Sequence, residues 1–126
     1  MGNLFHSAFA FNQLIGEWDT SKVTNMSGMF HDATAFNQPI GGWDTSKVTN
    51  MNSLFRGASV FNQSIGEWKT GEVNNMNNMF YGATAFNQDL SHWCVSSIGE
   101  PHGWSSSFGV NSDGTNPSWL APCPGD

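Results

Sequence analysis

One stretch of 25 residues recurs along this chain with no insertion or deletion between copies. Phe11-Asn12-Gln13 returns as Phe36-Asn37-Gln38, Phe61-Asn62-Gln63 and Phe86-Asn87-Gln88, and Trp18 returns as Trp43, Trp68 and Trp93. Self-similarity at a fixed short period commits a chain to a repeat architecture. A unit this small cannot bury its own apolar face, so copies must stack and seal one another. Residues at matched positions then become columns through the molecule. Met1 falls in register with Met26, Met51 and Met76, so the sequence opens inside a repeat and reads as a fragment or processed form.

Composition narrows the function classes. Only 11% of the 126 residues are charged, the net charge is -6, and Asn, Ser, Thr and Gly carry the polarity. Four Lys and Arg residues cannot build the basic patch that nucleic acid needs. No apolar run approaches the roughly 20 residues of a membrane span, and no signal-peptide pattern is visible. The two cysteines, Cys94 and Cys123, are too few for a four-cysteine metal site. A disulfide is favoured over two free thiols. Closing a loop of about thirty residues would contribute about 3–4 kcal/mol in the chain-entropy account. A structural disulfide also implies an oxidising compartment, hence a secreted or cell-surface protein.

Within the second copy, Ile40, Trp43 and Thr45 carry the spacing of a leucine-rich-repeat strand, and residues 40–46 are predicted as that strand. Residues 48–58 place apolar side chains at helical intervals and are predicted as a short helix, with Ser46 as its N-cap. The expected fold is therefore an α/β solenoid, leucine-rich-repeat-like, with a parallel strand and a short helix in each coil. Residues 1–98 form its four coils, the first partial, and residues 99–126 form a C-terminal cap pinned by Cys94 and Cys123.

The columns can be read as packing. Phe5, Phe30, Phe55 and Phe80 form one apolar column, and Met26, Met51 and Met76 another. Asn12, Asn37, Asn62 and Asn87 offer amides able to satisfy backbone groups of stacked turns. Trp18, Trp43, Trp68 and Trp93 take an inward position, as do Thr20, Thr45 and Thr70. What remains outside is a strand face of Glu17, Glu67 and His92 beside Asp19, Asp44 and Lys69, the candidate binding face. Asp44 is placed opposite Lys69, and Lys47 opposite Glu72, as exposed pairs.

The two ends differ. Trp104, Phe108, Trp119 and Leu120 are assigned to folding over the last coil. No equivalent group precedes the first coil, so Phe5, Phe11 and Ile15 are expected to mark an open edge, explained either by stacking on another chain, a head-to-tail homo-oligomer in the simplest case, or by truncation of a longer natural protein.

The unit F-N-Q-x-I-x-x-W-x-T-x-x-V-x-N-M-x-x-M-F-x-x-A resembles the BspA-like leucine-rich repeat surface proteins, in the short-repeat branch found in mycoplasma surface lipoproteins. The likeness covers residues 1 to about 98. It implies a secreted or cell-surface scaffold for adhesion to an extracellular protein, with no catalytic residues and no cofactor. Stacking end to end into fibres is the alternative. Glycan or ice binding through repeated polar rows is the third.

Other chemistry is weak. His6 and His31 are copies of one position, but Arg56 and Tyr81 follow them and no carboxylate repeats alongside, so no metal site is assigned. Residues 111–114, Asn-Ser-Asp-Gly, lack the carboxylates of a full calcium loop. No nucleophile elbow, phosphate loop or zinc-protease motif is present. Asn25-Met26-Ser27 fits a glycosylation sequon.

Overall fold

A computed structural model describes residues 1–95, 98, 99, 101, 104, 117 and 123. Among them there is no helix and no extended strand, and so none long and apolar enough to cross a membrane. The expected strand-and-helix solenoid is thus incorrect, and so is its leucine-rich-repeat anatomy. The described residues alternate between tight turns and short irregular segments. Parallel pairing among the described residues takes the form of single bridges, such as Asn25 with Asn50 and Asn50 with Asn75.

The reason lies in how backbone amides are shared. In residues 26–36, alternate amides close turns within the coil: Met29 N–H donates to Met26 O, His31 to Gly28 O, Ala33 to Phe30 O. The amides between them cross to the next coil: Gly28 to Asn52 O, Phe30 to Leu54 O, Asp32 to Arg56 O. A helix would need every amide to reach four residues back along its own chain. Here half of them bind a neighbour instead. Two left-handed positions in each coil enforce this, held by Asn3 and Ser7, Gly28 and Asp32, Ser53 and Gly57, Asn78 and Gly82. Left-handed residues interrupt a right-handed helix. The predicted N-cap is also reassigned. Ser46 donates its amide and hydroxyl to Asp44 Oδ1 at 3.0 and 2.6 Å, closing an Asx turn.

Stacking places the core along one axis. Phe30 and Phe55 rings lie 5.6 Å apart at 2°, and Phe36 and Phe61 rings 5.8 Å apart at 7°. Trp43, Trp68 and Trp93 are buried, with successive rings 6.4 Å apart. Each of these indoles donates to the carbonyl of an earlier coil: Trp43 to Ile15, Trp68 to Ile40, Trp93 to Ile65, all at 3.0 Å. Buried Thr20, Thr45 and Thr70 hydroxyls donate the other way, to Asp44, Lys69 and Cys94 carbonyls. No buried side-chain polar atom among the described residues lacks a partner.

The asparagine column is a hydrogen-bonded ladder. Asn12 Oδ1 accepts the Asn37 amide, Asn37 Oδ1 that of Asn62, and Asn62 Oδ1 that of Asn87, each at 2.9 Å. Gln38, Gln63 and Gln88 side-chain amides bind the same asparagines one coil earlier.

The register runs on past the last clear copy. Trp104 stands 25 residues after Met79, and its carbonyl accepts the Phe80 amide at 3.0 Å, as Met79 O accepts that of Phe55. Its buried indole packs edge-on to Phe80 and Trp93. Cys94 and Cys123 form a disulfide beside this end. The other cap assignments, Phe108, Trp119 and Leu120, lie outside the described residues, as does the turn at 111–114.

Candidate functional site

The first coil is the only described coil with nothing stacked before it, and its residues show what stacking would cover. Leu4 is 52% exposed, whereas Met29, Leu54 and Met79 in the same column are fully buried. Trp18 is 42% exposed while Trp43 is 4% exposed. Its ring packs on Phe5 at 5.8 Å, as Trp43 packs on Phe30 at 6.2 Å. Two further apolar residues belong to this coil alone. Phe9 and Leu14 are 63% and 77% exposed, at positions held by Thr34, Ser59 and Thr84 and by Pro39, Ser64 and Asp89 in later coils.

The polar groups of this end match the apolar ones. Ser27, Met29 and His31 carbonyls accept amides from Asn3, Phe5 and Ser7 of the preceding coil. Their counterparts Gly2, Leu4 and His6 have carbonyls that accept nothing among the described residues. Likewise the Asn12 and Thr24 amides and the Trp18 indole donate to no described group, although Asn37, Thr49 and Trp43 all donate to the coil before them. One complete half of an inter-coil interface therefore faces outward. Of the predicted edge residues, Phe5 and Phe11 are half-buried and stacked at 3.9 Å. Ile15 is not at the edge: it is buried, and its carbonyl holds Trp43.

The predicted binding face is less organised. Glu67, Lys69 and His92 line an open hollow of about 480 Å³ with Glu72, Trp68 and the Cys94–Cys123 disulfide. Glu17, Asp19 and Asp44 lie outside it. The expected contacts of Asp44 with Lys69 and Lys47 with Glu72 do not close. Among the described residues the one contact of this kind within 4 Å joins His31 Nε2 and Asp32 Oδ2, at 3.5 Å, and it is an ion pair only when the imidazole is protonated. Asp19 and Asp44 are held below the ordinary carboxylate value chiefly by the serine two residues on, Ser21 and Ser46. This face is a row of self-contained turns, with charge of both signs spaced along it.

Residues 1–112 match the family described as "Mycoplasma protein of unknown function, DUF285". The chain belongs to the DUF285 family. That match runs past residue 98, consistent with a repeat register that continues to Trp104. Membership brings no activity with it, and neither the curated proteins nor the solved structures contain a match to this chain.

Some of this DUF285 site could have been read earlier. Counting 25 onward from Met79 lands on Trp104, and counting back from Thr34 and Pro39 shows Phe9 and Leu14 as apolar exceptions. A third grouping was only half carried by the period, through the His6 and His31 pair. His6, His31 and Asp32 converge on one flank, with the imidazole rings 4.4 Å apart. Partial burial lowers the proton affinity of His31, and neighbouring Asp32 opposes that shift. Asp32 has no acidic counterpart in other coils, so column reading passed over it. Asn25, the sequon residue, is exposed with its Oδ1 accepting the Ser27 amide at 2.8 Å.

Proposed function

We propose that this DUF285 chain is a protein-binding scaffold of the cell exterior, and that it engages its partner end-on through the first coil. The occupant is a coil of the same repeat, supplied by residues that precede Met1 in a longer chain or by a second protein whose own last coil is bare. The carrying observation is that Gly2, Leu4 and His6 carbonyls stand free in the register by which every later coil is bound. The exposed Leu4 and Trp18 supply the apolar part of the same contact. Backbone pairing that extends an existing hydrogen-bonded stack is a recurrent way to recognise a chain segment. A second copy of this chain is a poor occupant, because its Phe80 amide is already taken by Trp104. That disfavours the head-to-tail homo-oligomer. The disulfide and the low charge content support an oxidising, extracellular setting, and the resemblance of the repeat to BspA-like surface proteins points the same way.

The test uses a probe chain that ends at Gly99 with Cys94→Ser, which removes Trp104 and bares its last coil, and that carries Leu4→Lys, which blocks its first. Sedimentation velocity should show the wild-type chain alone as a monomer and its mixture with the probe as a two-chain complex. A wild-type mixture that stays monomeric overturns the proposal, and so does an equal complex with a Leu4→Lys chain. If the probe fails to fold, a chain with an extra copy of residues 26–50 placed directly before Met1 takes its place. With phenylalanine in place of the tryptophan of the added copy, acrylamide should quench the fluorescence less, and unchanged quenching overturns the proposed fit.

A further inference from the structure

We propose that His6, His31 and Asp32 form a binding site for a borderline divalent metal ion of the zinc class. The inference is independent of end-on docking. One ligand atom from each of the three residues lies within 4.8 Å of the other two. The His6 and His31 rings stand 4.4 Å apart, and His31 Nε2 lies 3.5 Å from Asp32 Oδ2.

The fold sets this grouping. His6 and His31 share one position in adjacent coils, and the stack brings equivalent positions together. The Ser7 amide donates to the His31 carbonyl at 2.7 Å, fixing the two backbones beside each other. Asp32 is left-handed, with φ 59°, and its amide donates to Arg56 O at 2.7 Å. Its side chain lies against Gly57, where no Cβ would fit. The carboxylate is thereby kept on the histidine flank.

Zinc binds imidazole nitrogen and carboxylate oxygen at about 2.0–2.2 Å, which sets tetrahedral ligand atoms roughly 3.5 Å apart. Closing from the present spacing needs only side-chain rotation, and His6 is exposed and free to turn. Two imidazoles and one carboxylate leave the remaining position to water. Imidazole ligands select zinc, copper or nickel over magnesium or calcium. The site occurs once, because the row continues as Arg56 and Tyr81. The Arg56 guanidinium is drawn to the next coil, 5.2 Å over the Tyr81 ring. A bound ion would tie the first coil to the second.

Calorimetric titration of Zn²⁺ into the untagged full chain tests the site. One equivalent should bind, and His6→Ala, His31→Ala and Asp32→Asn should each weaken binding at least tenfold. His92→Ala should leave it unchanged. Co²⁺ should give visible ligand-field bands that the same three variants lose. Asparagine tolerates the left-handed conformation, so Asp32→Asn keeps the turn. His6 is exposed, and an unchanged metal-free melting temperature for His6→Ala confirms an intact fold. Wild-type binding no tighter than that of His6→Ala overturns the proposal. So does loss confined to the histidine variants with Asp32→Asn unaffected, or equal weakening by His92→Ala.

Discussion

Trp18 and Trp43 hold the same place in adjacent copies of one sequence, yet they are different objects. Trp43 is buried in a ring column with its indole donating to Ile15. Trp18 is nearly half exposed, and its indole donates to no described group. Identical local sequence therefore does not make a core position here. A preceding coil does. Stability in such stacks is carried by the interfaces between neighbouring repeats as much as by the repeats themselves. The first coil has one such interface where the second and third have two.

The largest effect that could break this comparison is truncation at the matched tryptophans. Trp43→Ala removes a buried indole and one of the two donors to the Ile15 carbonyl, which keeps the Trp18 amide, and should cost about 3–5 kcal/mol. Trp18→Ala should cost about 1 kcal/mol or less, as a surface change does. Urea unfolding of the two variants measures both. Equal losses would mean that the first coil is already sealed in solution.

A second, smaller contrast uses the left-handed positions. Gly57 has φ +71° and the Asp32 side chain of the preceding coil lies over it. Gly57→Ala should cost about 1–3 kcal/mol, because backbone strain and contact add. Ser7 holds the equivalent position in the first coil with φ 59° and nothing stacked before it. Ser7→Gly relieves that strain while loosening the unfolded chain, and should change stability by less than about 1 kcal/mol. Thermal melts of both variants make the measurement. A large loss for Ser7→Gly would show that its hydroxyl, rather than its backbone, shapes the turn.

The same residues explain what the sequence could and could not say. Exact spacing made stacking legible, since only a stack makes sense of Phe30, Phe55 and Phe80 recurring without a gap. The form of the coil was not legible. Met26, Met29 and Phe30, with Ala33, have helical spacing, but consecutive three-residue turns set the same interval. What decides between them is where alternate amides go, and that is a tertiary choice. Asn3, Asp32 and Ser53 in left-handed geometry are a local sign of it, since short polar residues tolerate that conformation. The open end followed from asking which coil lacked a predecessor. The His6, His31 and Asp32 cluster did not, because its carboxylate breaks the period rather than keeping it.

The smallest effect should have the same sign and the same main cause in both coils. Asp19 in the first coil and Asp44 in the second are fully exposed, and each accepts the amide and hydroxyl of the serine two residues on. Those bonds favour the carboxylate and lower both proton affinities below 3.8. A carboxyl with a depressed folded value binds fewer protons when folded. Its contribution is therefore present above the unfolded value and is lost as pH falls through the folded one. Stability should decline in acid below about pH 4, with Ser21→Ala and Ser46→Ala each raising the titration of its own aspartate toward the unperturbed value. Carbon-detected titration of the two carboxyls gives the answer. These turns close within one coil and need no neighbour, so the presence or absence of a preceding coil should not separate them. If Asp19 loses its serine bonds while Asp44 keeps them, the first coil is frayed as well as uncovered.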